Sequence, residues 1–287
     1  MERIKTVAVV GAGTMGQGIA QVCAMSGYET KLFDIDVTLS QRALAAIEQN
    51  FTNSIAKGKL AEEDKQKALG RLTIATAVSE LKVDLVIEAV VENLEVKQKL
   101  FAELEKVNDG TAILATNTSS ISITQIATSL SKPGRFVGLH FFNPATLMKL
   151  VEVVGGSATD TSVVATMKSF SASLNKIAVE TKDSPGFIVN RVARQYYVEA
   201  LKLLEEGVAD VESIDKLMRS AGFKMGPFEL MDLIGIDVNF AVTSSMYHAL
   251  HQEPRFRPSQ IQQQKVTAGD LGRKTGKGFY EYNVKNE

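Results

Sequence analysis

The stretch that most restricts the fold of this chain is "VAVVGAGTMGQGIA", Val7 to Ala20. Four apolar residues, Val7–Val10, run straight into a glycine-rich turn, and the turn runs into small and apolar residues that read as a helix. A strand written as an unbroken apolar run is buried on both faces, as parallel strands are. Gly11, Gly13 and Gly16 give G-x-G-x-x-G between the two elements. The first glycine permits the tight turn, the second lets backbone approach a pyrophosphate, and the third lets helix pack closely on strand. The helix N-terminus offers phosphates its N–H groups and a partial positive charge. A purely structural glycine turn would use the same letters. The next strand, "ETKLFD", ends at Asp34, 18 residues past Gly16. A carboxylate there accepts hydrogen bonds from a ribose and repels a 2′-phosphate, so the residues point to NAD rather than NADP.

The alternation continues. A long helix about Leu39–Lys57 and a short charged one, "EEDKQKALGRL", precede the strands "RLTIAT" and "VDLVIEAV". "NLEVKQKLFAELEKV" reads as a helix with apolar positions 94, 96, 100, 101 and 104. "TAILATNT", "SITQIATSL" and "RFVGLHFF" follow as strand, helix and strand. This predicts a mainly parallel, Rossmann-type α/β sheet with helices on both faces. "LMKLVEVV" begins too soon after "RFVGLHFF" for a crossover helix, so that pair is expected to be antiparallel. A helix about Thr161–Asn175 and the strand "KIAVE" lead to "KDSPGF", read as a boundary. The domains are expected to be 1–184, the dinucleotide-binding domain, and 185–287, an all-α C-terminal domain with a strand only at "GFYEY".

The net charge of −1 gives no overall field toward nucleic acid or an anionic membrane. No apolar run approaches the roughly 20 residues that span a bilayer. The N-terminal apolar run is too short for a signal peptide, and the expected location is cytoplasmic. The single cysteine, Cys23, excludes an internal disulfide and reads as a buried, inert thiol.

The chain has three histidines. His248 and His251 form H-x-x-H on a predicted helix, but no third ligand is in view, so no metal is expected. His140 ends a strand at the edge where such sheets bind ligands. With a reversal near Pro144–Ala145, its cross-strand partner falls near 149–151, which puts Glu152 within reach. A carboxylate on an imidazole fixes its tautomer and stabilises the imidazolium, as a general base for an alcohol proton requires. A satisfied strand-end histidine beside a solvated glutamate is the alternative. "ATNTSS", Ala115–Ser120, ends another strand at the same edge. Its Asn117 and Ser119 suit a nicotinamide amide or a substrate oxygen, and its serines equally suit a helix N-cap.

"GAGTMGQGIA", "EAVVENLEVKQKLF", "TNTSSISI", "GLHFFNPATLMKLVEVV", "DSPGFIVNRV", "MGPFELMDLIGID" and "GRKTGKGFYEY" together resemble the short-chain L-3-hydroxyacyl-CoA dehydrogenases, especially the bacterial 3-hydroxybutyryl-CoA dehydrogenases. The resemblance covers essentially the whole chain. It implies interconversion of an (S)-3-hydroxyacyl-CoA and a 3-oxoacyl-CoA with NAD, and a homodimer formed through the C-terminal domain. The family's catalytic pair falls on His140 and Glu152, and its substrate-oxygen positions on Ser119 and Asn190. The implied cofactor positions are Gly11, Gly13, Thr14, Met15 and Gly16 of the turn, then Asp34, Glu92, Lys97, Asn117, Ser119 and Asn143. Ser54 and Lys57 lie where the family holds the CoA moiety, although a solvated helix face reads the same way. Other readings are an L-gulonate-type or 3-hydroxyadipyl-CoA dehydrogenase, or a non-catalytic dinucleotide binder of the kind found among lens crystallins.

Overall fold

The computed structural model describes residues 4–282, and the chain divides between Ser184 and Pro185 into two compact units. The first opens with β1 (Thr6–Val10), α1 (Thr14–Met25) and β2 (Glu29–Phe33). A helical excursion, α2 (Val37–Ala56) and α3 (Glu62–Gly70), precedes β3 (Leu72–Ile74). The alternation resumes with β4 (Leu85–Glu88), α4 (Leu94–Val107), β5 (Ile113–Thr116), α5 (Ile123–Ala127) and β6 (Phe136–Phe141). β7 (Leu150–Gly155), α6 (Thr161–Ser173) and β8 (Ile177–Lys182) complete the unit.

All eight strands form one sheet in the order β3-β2-β1-β4-β5-β6-β7-β8. β1 to β6 are mutually parallel. β7 runs antiparallel to β6, and β8 parallel to β7. Only residues 142–149 join β6 to β7, too few for the crossover that a parallel return requires. Chain order reverses between β1 and β4. In doubly wound sheets that switch point, at the carboxyl ends of the strands, is where ligands sit. β4, β5 and β6 are buried along their whole length, which is why they read as apolar runs. Cys23 is fully buried in α1, and burial pushes its thiol up to about 12.

The buried face of α4 differs from the apolar positions read from sequence. Lys97, Phe101 and Leu104 are buried, and Val96 is exposed. These three positions keep helical spacing, i, i+4 and i+7, but the first is a lysine.

The second unit contains α7 (Val189–Glu205), α8 (Val211–Ser220), α9 (Pro227–Ile234), α10 (Ile236–Ala249) and α11 (Gln260–Ala268). Tyr197, Leu201, Phe228, Met231 and Ile236 belong to its core. Gly235, at φ +102°, divides the single helical stretch read around it into α9 and α10. "GFYEY" is not a strand: its segment makes only isolated bridges. The N–H groups of Phe279 and Tyr280 donate instead to the Asp232 carboxylate at 2.9 and 3.0 Å. His251 lies beyond the end of α10 with φ +55°, so the H-x-x-H pair does not share a helix face.

Candidate functional site

The glycine turn separates into positions that the fold needs and one that it does not. Gly11 has φ +102°, and a Cβ there would stand 2.5 Å from the Ala89 carbonyl oxygen, at the end of β4. A Cβ on Gly16 would lie 1.7 Å from the Gly11 carbonyl oxygen. A Cβ on Gly13 would meet nothing within 4 Å. Packing within the chain therefore accounts for the first and third glycines and leaves the second unexplained. Gly13 is the N-cap of α1 and has no side chain to cap the first turn, which leaves room for a phosphate to approach the helix N-terminus. Thr14 and Met15 open that helix. The turn is tied to β2 by Asp34, whose carboxylate accepts from the Ala12 N–H at 2.8 Å and the Asp36 N–H at 3.1 Å.

Across the switch point, β4 ends in Glu88. One carboxylate oxygen accepts from the Val90 N–H at 2.7 Å and from Lys97 Nζ at 2.6 Å. The other accepts from the Thr116 hydroxyl at 2.7 Å. Lys97 is 1% exposed, and its ammonium also lies 3.2 Å from Glu92. Glu92 Oε1 accepts from the Thr118 and Ser120 hydroxyls at 2.5 and 3.0 Å. The same oxygen accepts from the Ser119 and Ser120 N–H groups at 3.2 and 3.3 Å. Partial burial pushes the Glu92 carboxyl up, but the Lys97 charge and these hydroxyl bonds outweigh it and hold the group below the usual carboxylate range. Removing one partner from the fully buried Glu88–Lys97 pair leaves an uncompensated charge, at a cost of ~3–5 kcal/mol. Sequence reasoning missed Glu88. Its signal was an acid closing an apolar strand, with a lysine nine residues on.

Asn117 turns its side-chain oxygen to the Phe141 N–H at 2.8 Å, which fastens the 116–120 turn to the strand that carries His140. His140 pairs directly with Glu152 across β6 and β7, one to three residues later than the register read from sequence. His140 Nδ1 is 2.8 Å from Glu152 Oε2, and both residues are buried. Asn143 is exposed in the turn that follows β6. That turn is held by Lys176, whose ammonium donates to the Ala145 and Met148 carbonyls at 2.6 and 2.8 Å. Burial holds Lys176 below the usual lysine range.

Ser54 and Lys57 line a groove of about 840 Å³, together with Lys59, Lys149 and Lys176. The Ser54 hydroxyl donates to the Asn50 carbonyl within α2 at 2.8 Å. Asn190, the remaining sequence-derived site residue, is the second residue of α7 in the helical unit.

The strand order, the glycine turn and the carboxylate at the end of β2 define a Rossmann-type dinucleotide-binding domain. Residues 6–184 match the model of the 3-hydroxyacyl-CoA dehydrogenase NAD-binding domain, and residues 186–282 match that family's C-terminal domain. The chain belongs to the 3-hydroxyacyl-CoA dehydrogenase family. It is 50% identical over its whole length to a 3-hydroxyadipyl-CoA dehydrogenase of Escherichia coli, and spans 61% of that protein. It is 43% identical to a 3-hydroxybutyryl-CoA dehydrogenase of Bradyrhizobium diazoefficiens, over 97% of this chain and 96% of the relative. Its structure matches 3-hydroxybutyryl-CoA dehydrogenase from Escherichia coli with a TM-score of 0.96 at 50% identity, covering 100% of this chain and 61% of that one. The (S)-3-hydroxybutyryl-CoA dehydrogenase of Ralstonia eutropha matches with a TM-score of 0.94 at 41% identity, over 98% of this chain and 100% of that one.

Proposed function

We propose that this chain interconverts (S)-3-hydroxyacyl-CoA and 3-oxoacyl-CoA with NAD, and that 3-hydroxybutyryl-CoA and acetoacetyl-CoA are its substrate pair. The observation that carries this reading is the buried contact between His140 Nδ1 and Glu152 at the carboxyl end of β6. In this reading Nε2 is the nitrogen that meets the substrate. In the oxidative direction His140 takes the proton of the 3-hydroxyl on Nε2. Glu152 holds the ring with its proton on Nδ1 and stabilises the imidazolium that forms. Ser119 and Asn190 hold the substrate oxygen. When bound, NAD supplies the hydride acceptor. In reduction His140 returns the same proton as general acid. The lysines of the groove beside Ser54 and Lys57 give the phosphates of CoA a cationic wall.

A second reading, 3-hydroxyadipyl-CoA as substrate, is favoured by the name of the 50% identical relative. Steady-state kinetics with acetoacetyl-CoA, longer 3-oxoacyl-CoAs and 3-oxoadipyl-CoA, each with NADH and NADPH, tests both readings. We expect acetoacetyl-CoA to give the highest kcat/KM, and Asp34 to favour NADH. Higher kcat/KM with 3-oxoadipyl-CoA selects the second reading. Retention of NADH without turnover of any thioester reduces the chain to a binding protein.

We further propose that two copies pair through the helical unit. Its long apolar stretches largely form its own core, so the pairing rests on what remains outside. Val192, Val208, Leu217, Phe223 and Leu233 are exposed, and two-fold pairing is the commonest way to cover such a surface. Sedimentation at micromolar concentration should give a dimer, and a monomer alone rejects the pairing.

A further inference from the structure

Glu88 lies at the centre of a chain of bonds that ends at Ser119, and it has no ligand role in the function proposed above. We infer that Glu88 is a positioning residue for the substrate-oxygen site, acting on the 116–120 turn from two sides. The inference rests on the reading that Ser119 holds the substrate oxygen.

The first side is direct. Glu88 accepts from the Thr116 hydroxyl at 2.7 Å, and the Thr116 oxygen accepts in turn from the Thr118 N–H at 3.2 Å. The second side runs through charge. Glu88 anchors the Lys97 ammonium at 2.6 Å, Lys97 reaches Glu92 at 3.2 Å, and Glu92 accepts from the N–H groups of Ser119 and Ser120 and from the hydroxyls of Thr118 and Ser120. Two carboxylates therefore share one ammonium. The outer carboxylate, on a segment that is neither helix nor strand, holds the turn, and the inner one fixes the ammonium that fixes the outer.

The geometry explains the burial of a lysine on the core face of α4. A hydrophobic residue at position 97 would give Glu92 no cation and would leave the buried Glu88 carboxylate uncompensated. The backbone reinforces the link, because the Asn117 N–H donates to the Glu88 carbonyl at 2.8 Å. On its far side the same turn reaches β6 through the bond from the Phe141 N–H to Asn117. The Ser119 turn is thus clamped between the Glu88 network and the strand of His140. A displacement of reacting groups by about 1 Å costs on the order of 10²-fold in rate, so loosening one jaw is expected to be visible in turnover.

A double-mutant cycle tests this. Glu88→Gln keeps the shape and removes the charge that fixes Lys97. Together with Ser119→Ala it is assayed for kcat/KM with acetoacetyl-CoA and NADH, and melting temperature is recorded for all four proteins. Each single variant should lose roughly 10- to 100-fold in kcat/KM. Once Ser119 is already alanine, Glu88→Gln should cost less than about threefold, because residues that act as a unit are not additive. A lower melting temperature is expected of Glu88→Gln in either case; a merely structural Glu88 would multiply the losses in both backgrounds, and that result overturns the inference. So does full activity in Glu88→Gln. Full activity in Ser119→Ala instead overturns the substrate-oxygen reading, and the inference with it. Should Glu88→Gln fail to fold, Thr116→Val removes only the hydroxyl between the two strands and replaces it in the same cycle.

Discussion

Replacing Glu152 by Gln should lower kcat for acetoacetyl-CoA reduction by roughly 10²–10⁴, the range for lost acid–base assistance, with little change in NADH affinity. The amide retains the size of the carboxylate and an acceptor for His140 Nδ1, but no charge to stabilise an imidazolium. It can also present an N–H to the ring and select the wrong tautomer. Glu152 is 1% exposed and sits on β7. Four strand spacings of about 4.8 Å separate β7 from β1 and its glycine turn, which is why cofactor affinity should survive. His140→Gln should be at least as damaging. The double variant should fall far short of the product of the two losses, because the residues work as one base. Near-normal turnover in Glu152→Gln would remove the pair from the mechanism. A parallel loss of NADH binding would show that the exchange had disturbed the sheet.

The second large effect separates two glycines of one turn. Gly16→Ala drives a methyl to 1.7 Å from a backbone oxygen, and no side chain can yield to relieve it. Both melting temperature and NADH binding should collapse. Gly13→Ala meets nothing in the protein, so its melting temperature should match the parent's. Its methyl would lie where the pyrophosphate approaches. An overpacking cost of about 1–3 kcal/mol weakens NADH binding by roughly five- to 150-fold. Calorimetry and fluorescence titration of both variants check this. Normal NADH affinity in Gly13→Ala would mean that the turn serves only the fold.

The parallel layer could be read from the chain because its central strands, β1, β4, β5 and β6, are buried on both faces and therefore written as apolar runs. The antiparallel return could be read from the shortness of the link between β6 and β7. The register of that return could not. It depends on how the 142–149 turn is folded, with the Leu147 and Met148 N–H groups bonded back to the Pro144 carbonyl and Lys176 gripping two of its carbonyls from beyond the next helix. No local rule reports a lysine 31 residues away. The burial of Lys97 escaped for a related reason: periodicity finds faces by their hydrophobes, and here the buried position is filled by a charge neutralised from two other segments. "GFYEY" alternates as a strand does, yet its N–H groups bond a carboxylate from α9 instead of a neighbouring strand. In each case sequence gave the local tendency, and a distant polar partner decided the outcome.

The cross-strand pairing of His140 with Glu152 also bears on how such a protein can change. Glu152 is held in a four-residue ladder with β6 and a six-residue ladder with β8, and the turn between the strands carries neither residue of the pair. That turn contributes Pro144, Thr146, Leu147 and Lys149 to the lysine-lined groove. Surface connections tolerate substitution and changes of length far better than the strands they join. On the function proposed above, CoA recognition and chemistry are encoded a few residues apart on different parts of the hairpin. Substitutions that keep the fold of the turn can therefore reshape the groove while His140 and Glu152 keep their register.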